Sequence, residues 1–161
     1  LGIYDELFKD YFNKKCNFME IGVYKGGDLM LFNNVFNNIE IYGIDISLKL
    51  LRKNTLQDCK NVHLFTKDAY TIETVNEFKN IEFDIIIDDG PHTKESMIFF
   101  AENYSSLLNK NGIMIIEDIQ SIDWYPEIQN SFPKHFEVKL VDLRYKKKRY
   151  DDILIIAKHK C

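Results

Sequence analysis

Acidic residues recur at one kind of place in this chain. Glu20, Asp45, Asp68, Asp88–Asp89 and Glu117–Asp118 each follow a short, largely apolar stretch. In the fullest case, residues 83–87 (FDIII) lead directly into Asp88, Asp89, Gly90, Pro91 and His92. Carboxylates ligate hard cations and accept hydrogen bonds from hydroxyls, and an imidazole with an ordinary pKa of ~6.5 is suited to take a proton from one. Glycine and proline supply an abrupt turn, and turn chemistry alone also favours aspartate there. A single acid after a strand is commonplace. Five in succession exceed what turn propensity explains, and in open α/β sheets the carboxyl ends of the strands line the ligand crevice.

A glycine-rich turn follows the first of these acids, with Gly22, Gly26 and Gly27. Glycines there let backbone approach a ligand closely. The spacing is neither the GxGxxG dinucleotide fingerprint nor a GxxxxGK[ST] phosphate loop. Glu20 beside the turn disfavours a pyrophosphate and suits an uncharged or cationic ligand. Asp45, closing the second apolar stretch, is placed to accept hydrogen bonds from ribose hydroxyls. Together they indicate a nucleoside-containing cofactor. The alternative is that the glycines only let a helix pack close to a strand.

The elements that must hold these residues are read from periodicity. Ile3, Tyr4, Leu7, Phe8, Tyr11 and Phe12 lie at helical spacing, which predicts an amphipathic helix over residues 1–13. Strands are predicted at residues 17–21, 40–44, 62–65, 83–87 and 113–116, with helices at 29–36, 48–56, 71–78 and 94–108. Ser47 is a candidate cap for the second of these helices. Asn111–Gly112 reads as a turn, and residues 122–132 as a short helix interrupted near Pro126. Residues 136–143 and 152–158 read as an antiparallel hairpin joined by the basic run 146–149, which is expected to be a solvated tip. Strand–helix alternation implies a mainly parallel sheet covered on both faces, so the expected fold is an α/β three-layer sandwich with seven strands and a closing hairpin.

With 161 residues, 45% of them hydrophobic, the chain makes one domain spanning residues 1–161 with a substantial core. A net charge of −4 argues against a dedicated nucleic-acid binder. Cys16, Cys59 and Cys161 are scattered without ligand spacing, which fits a reducing, cytoplasmic compartment. No apolar run approaches transmembrane length and no signal-peptide pattern is present, so no membrane partner is expected. The chain opens on Leu1 rather than Met, as a fragment of a longer protein would.

The ordered series EIGVYKGGD, IYGID, KDAY, FDIIIDDG and GIMIIED resembles the class I S-adenosylmethionine-dependent methyltransferases over nearly the whole chain. That resemblance implies a Rossmann-like methyltransferase fold. It places Glu20 and Gly22 by the methionine part of the cofactor, Asp45 at the ribose, Asp68 and Ala69 beside the adenine, and Gly26, Gly27, Ile46 and Asp88 among the cofactor-binding positions. A narrower resemblance, carried by DDGPH at residues 88–92 and IEDI with Trp124, is to the metal-dependent macrolide-sugar O-methyltransferases and their cephalosporin hydroxylase-like relatives. Pro91 stands where that family usually has serine, and Asp28 stands where GGS is common. Both changes bear on substrate fit.

The residue chemistry agrees with that resemblance. Asp89 with Glu117 and Asp118 makes a hard oxygen set suited to Mg²⁺. A metal there orients sugar hydroxyls and lowers the pKa of one of them. His92 is the expected base and, with Asp89, the expected catalytic pair. The expected activity is O-methylation of a sugar or glycan-precursor hydroxyl, the acceptor being a small sugar or nucleotide-sugar. Two alternatives stay open: an iron-dependent hydroxylase, disfavoured because only His92 stands near the carboxylates, and a non-catalytic nucleoside-binding domain. His63, His135 and His159 are expected to be structural or solvated. Trp124 and Tyr125 are equally candidates for the acceptor pocket and for the core. Few insertions shape a pocket, so a lid from a preceding segment or from a second copy in a homo-oligomer is expected.

Overall fold

The β-branched run before the two aspartates forms the middle of a sheet. In a computed structural model, which describes residues 2–52, 56 and 59–160, β4 (Phe83–Asp88) lies between β1 (Lys15–Ile21) and β5 (Leu108–Ile116). Ile85, Ile86 and Ile87 are almost wholly buried. Such burial on both faces is what a central parallel strand demands, and it explains why the run does not alternate with polar residues. With β2 (Asn38–Asp45), β3 (Val62–Thr66), β6 (Phe136–Asp142) and β7 (Ile153–His159), the described residues form one seven-stranded sheet of order β3-β2-β1-β4-β5-β7-β6. The first five strands pair in parallel, and β7 pairs antiparallel with both β5 and β6. The expected Rossmann-like sandwich is the architecture observed.

The pleat sorts side chains between two layers. Phe18, Ile85, Ile87, Ile113 and Ile115 face α1 (Gly2–Phe8) and α2 (Gly27–Val35), where Phe8, Leu29, Phe32 and Phe36 close the core. Met19, Ile86, Met114 and Ile116 face the opposite layer, with α3 (Ile72–Glu77), α4 (Lys94–Asn103) and α5 (Tyr125–Ser131). The strand order reverses between β1 and β4, the switch point at which open α/β sheets leave a crevice.

Several elements differ from the expectation, each for a local reason. The first helix ends at Phe8, not residue 13, and a turn carries Tyr11 to where its hydroxyl donates to the Asn111 carbonyl. In place of a helix over residues 48–56 there is one 3-10 turn, Leu48–Leu50, whose N-terminal Ser47 accepts from Lys49 N. Leu51 leaves helical geometry, and Leu51 and Leu56 pack over Gly26, so burial overrides helix propensity. Part of that span lies outside the described residues. The long helix over 94–108 ends at Asn103 and tightens into a 3-10 turn before Leu108 enters β5, which absorbs Asn111 and Gly112 through a register shift opposite residues 83–85. Pro126 begins α5 instead of interrupting it, because a missing N–H costs nothing in a first helical turn. The β6–β7 connection holds a short helical turn, α6 (Arg144–Lys147). No helix among the described residues is long and apolar enough to cross a membrane.

Ile86→Ala removes a fully buried side chain at the sheet centre and is expected to cost about 2–5 kcal/mol in urea unfolding. Leu31→Ala, on the partly exposed outer side of α2, is expected to stay within about 0.5 kcal/mol.

Candidate active site

The parallel ladder does not stop where the strands end. Gly22 N donates to the Ile44 carbonyl, Lys67 N to Asp45, Asp89 N to Ile21 and Glu117 N to Asp88, each at 2.9 Å. These bonds hold the residues just past each strand in register, so the acids arrive along one edge. Gly22 has φ +94°, and a Cβ there would collide with the carbonyl of Asp89. The first turn therefore passes against the fourth strand's end only because it is glycine.

The edge opens into a cleft of about 650 Å³. At one end lie Ile21, Gly22, Tyr24, Ile44, Asp45, Ile46, Asp68 and Ala69. The Asp45 carboxylate accepts from Tyr24 N at 2.8 Å and from Ser47 N at 2.9 Å, which aims it while leaving lone pairs for a further donor. Asp68 Oδ1 accepts from Tyr70 N at 2.9 Å. Apolar walls with two oriented acids at the rim fit a nucleoside: hydroxyls for Asp45, an exocyclic amine within reach of the 68–69 turn, and a flat ring against Ile44.

At the other end stand Asp89, Pro91, His92 and Asp118. Asp89, His92 and Asp118 each offer a ligand atom within 4.8 Å of the others, which suits a divalent cation. His92 Nε2 is 3.7 Å from Asp89 Oδ1, too far for a direct hydrogen bond. Tyr24, His92 and Asp118 all adopt positive φ, at 47°, 54° and 48°. Such backbone is costly for residues other than glycine and gathers at functional sites. A second group, Glu20, Asp28 and Asp89, shares the Asp89 carboxylate on the α2 side.

Of the expected carboxylate trio of Asp89, Glu117 and Asp118, Asp89 and Asp118 come within 4.8 Å of each other and of His92, and Glu117 stands near enough to Asp89 to raise its pKa. Successive residues leave a strand on opposite faces. Ile113 and Ile115 point to the α1 layer, Glu117 follows them, and the Tyr4 hydroxyl of α1 donates to Glu117 Oε1. His92 stands as a further donor beside Asp89 and Asp118. Asp88 follows Ile86 to the opposite layer, is buried, and accepts from the Tyr70 hydroxyl and from Gly90 N. It braces the turn and does not line the cleft. Glu20 is buried behind the wall, while Gly26 and Gly27 shape the start of α2. Trp124 and Tyr125 pack against the core, and Tyr125 donates to the Val138 carbonyl. His63 pairs with Glu40, and His135 stacks on His159. The basic run is more than a solvated tip: Arg149 Nη2 lies 3.3 Å from Asp118 Oδ2. Sequence reasoning missed Tyr4, Tyr70 and Arg149. Only strand alternation, which separates Glu117 from Asp118, offered a signal for any of them.

Crowding and burial set the electrostatics. Burial, reinforced by Glu117, Asp118 and Asp28, lifts Asp89 to about 8. Burial lifts Asp88 to about 7 against the opposing hydrogen bonds from Tyr70 and Gly90. Glu20 is pushed well above the usual carboxylate range by burial and then by Asp28, Asp89, Glu117 and Asp45. Asp118 is also raised by burial, with Arg149 pulling the other way.

A family model described as a methyltransferase domain matches residues 19–119. Among curated proteins, the mycinamicin VI 2''-O-methyltransferase of Micromonospora griseorubida is 32% identical over 132 residues, covering 75% of this chain and 31% of the relative. The demethylmacrocin O-methyltransferase of Streptomyces fradiae is 26% identical over 130 residues, covering 75% and 32%. The chain thus spans about a third of the length of these two relatives. Among solved structures, the MycE methyltransferase of the mycinamycin pathway, in complex with Mg, SAH and mycinamycin VI, has the same fold. Its TM-score is 0.71 at 21% identity, over 98% of this chain and 48% of that one.

An acid whose pKa rises on folding takes up protons as the chain folds. Its stabilising share is complete below about pH 4 and is lost as pH climbs through the folded value. With folded values of about 7 for Asp88 and about 8 for Asp89, the Tm of the cation-free protein is expected to fall between pH 5 and pH 8.5. Mg²⁺ is expected to raise Tm more at pH 8 than at pH 5, and Asp89→Asn to flatten the upper part of the curve. Scanning calorimetry over this range checks it; a Tm rising with pH would mean the acids ionise freely.

Proposed function

The chain belongs to the methyltransferase-domain family, and on that premise we propose that it is an S-adenosylmethionine-dependent O-methyltransferase acting on a hydroxyl of a sugar or glycan precursor with the help of a divalent cation. The observation that carries the reading is the pairing of two ends in one cleft. A glycine turn with Asp45 and Asp68 stands at one, and Asp89, His92 and Asp118 within 4.8 Å of one another stand at the other. The names of the similar proteins, a mycinamicin VI 2''-O-methyltransferase and a demethylmacrocin O-methyltransferase, support methyl transfer to oxygen.

When bound, S-adenosylmethionine supplies a methyl group on a positively charged sulfur that leaves as a neutral thioether. The chain's own residues do the rest. Asp45 takes the ribose hydroxyls and the 68–69 turn takes the adenine edge. Asp89 and Asp118 are the carboxylates that would hold Mg²⁺, which would lower the pKa of a sugar hydroxyl. Glu117, tied to Tyr4 and close to Asp89 in the same layer, is the third carboxylate that would add its negative charge to the ion. His92 Nε2 accepts the hydroxyl proton as the sugar oxygen takes the methyl, so the positive charge lost at sulfur reappears on the imidazole. Gly22 and Asp89, pinned by the extended ladder, fix the distance between the two ends. The iron-hydroxylase alternative finds less support, because His92 is the one histidine lining the cleft among the described residues and a two-histidine triad is not assembled there.

Calorimetric titration with S-adenosylhomocysteine, with and without Mg²⁺, tests both ends. A nucleoside heat independent of Mg²⁺, and a separate Mg²⁺ heat abolished by Asp89→Ala, are expected. His92→Gln is expected to leave S-adenosylhomocysteine affinity unchanged and to lower methyl transfer to a panel of sugars and sugar phosphates about 10²–10⁴-fold. Failure to bind the nucleoside overturns the methyltransferase reading. Nucleoside binding without the Asp89-dependent Mg²⁺ heat overturns the metal-assisted mechanism alone.

A further inference from the structure

The connection between β6 and β7 reaches the acceptor end of the cleft. It grips the segment after β5 at two points. Arg149 Nη2 lies 3.3 Å from Asp118 Oδ2. The Tyr150 hydroxyl donates to Gln120 Oε1 at 2.7 Å, and Gln120 Nε2 donates to the Asp118 carbonyl at 2.9 Å. The connection is thereby fastened to the residue that closes the Asp89–His92–Asp118 group.

Its composition is cationic and aromatic. Lys146, Lys148 and Arg149 are exposed, and neither Lys146 nor Lys148 forms an ion pair among the described residues. Lys148 turns the chain with φ 57°, directing it back toward Asp118. Tyr145 and Tyr150, 74% and 68% exposed, flank the cations. Exposed aromatic rings beside cations form a surface on which a base or sugar ring stacks while a phosphate is neutralised. In a chain with net charge −4, this concentration of positive charge reaches, through Arg149, the Asp118 end of the cleft.

Resting on the proposed sugar O-methyltransferase activity, we infer that the acceptor is a phosphate-bearing sugar, its phosphate received by Arg149 and Lys148. The opposite end of the cleft, at Asp45 and Asp68, is committed to the nucleoside of the cofactor, so the Asp118 end is where an acceptor enters. A divalent cation taken by Asp89 and Asp118 competes with Arg149 for the same carboxylate. A cation held there would release Arg149 Nη2 from Asp118 while Nε stays 3.4 Å from Asp151 Oδ1, leaving one edge of the guanidinium as a donor to a phosphate at the mouth. A neutral glycoside offers that released Nη2 no anionic group. A sugar phosphate or a nucleotide-linked sugar supplies one, and the flanking tyrosines add a stacking surface for a base in the second case.

The test is calorimetry on protein loaded with S-adenosylhomocysteine and Mg²⁺. The probes are methyl glucoside, glucose 1-phosphate, UDP-glucose and a ten-nucleotide single-stranded RNA at low ionic strength. Both phosphorylated sugars are expected to bind at least about tenfold tighter than methyl glucoside, a margin on the scale of one charge-assisted contact. Arg149→Gln and Lys148→Gln should each shrink that margin, and 0.3 M NaCl should screen it. UDP-glucose binding above glucose 1-phosphate would assign the tyrosines to a base; equal binding would assign recognition to phosphate alone. Equal binding of neutral and phosphorylated probes, or a margin untouched in both glutamine variants, overturns the inference. So does an RNA that outcompetes UDP-glucose. The S-adenosylhomocysteine heat, measured first in each sample, separates failure of this inference from failure of the methyltransferase reading.

Discussion

The site depends on hydrogen bonds that continue the parallel ladder beyond the strands. Four 2.9 Å bonds from residues 22, 67, 89 and 117 back to the neighbouring strand turn loop residues into extensions of a rigid sheet. Side chains on loops usually carry the uncertainty of loops. Here the acids inherit the precision of β1, β2, β4 and β5, and the crevice at the switch point between β1 and β4 acquires walls of defined spacing. The glycine at position 22 is the condition for this, because no other side chain fits between the first turn and the Asp89 carbonyl.

The same rigidity concentrates charge. Glu20, Asp28, Asp89 and Glu117 converge beneath the cleft, and although Asp28 is exposed, the burial of Glu20 and Asp89 removes the water that would screen them. The fold answers in three ways. Tyr70 and Gly90 donate to Asp88, Tyr4 donates to Glu117, and Arg149 sets a positive charge against Asp118. Among the described residues Asp89 has only His92 Nε2, 3.7 Å away, to set against its charge, and it is the common member of both donor groups. A site arranged this way is poised to gain stability from a ligand of positive charge.

Much of this was legible in the chain itself. The isoleucines of β4 and β5 announce buried parallel strands because nothing polar interrupts them, and the acids after them mark the edge. Two things were not. Adjacent acids such as Asp88 and Asp89, or Glu117 and Asp118, look equivalent in a sequence, yet the pleat sends them to opposite faces, so one of each pair leaves the cleft. Contacts between residues far apart in the chain, 113 positions for Tyr4 and Glu117 and 31 for Arg149 and Asp118, follow from how layers close and have no local signature. The helix expected after β2 failed for a related reason: leucines at helical spacing serve equally well to cover Gly26, and burial decided between the two.

The place of β7 has a consequence for synthesis. It is inserted between β5 and β6, and it completes the sheet beside Ile113–Ile116, four residues with no exposure in the finished fold. On the ribosome the first five strands are made well before residues 153–159 emerge. During that interval β5 presents a bare hydrogen-bonding edge of isoleucine and methionine, the kind of edge that pairs with whatever strand is nearby. The nascent chain is therefore most vulnerable to self-association after most of its core residues exist. Its window for chaperone engagement opens with β5 and closes when the hairpin docks.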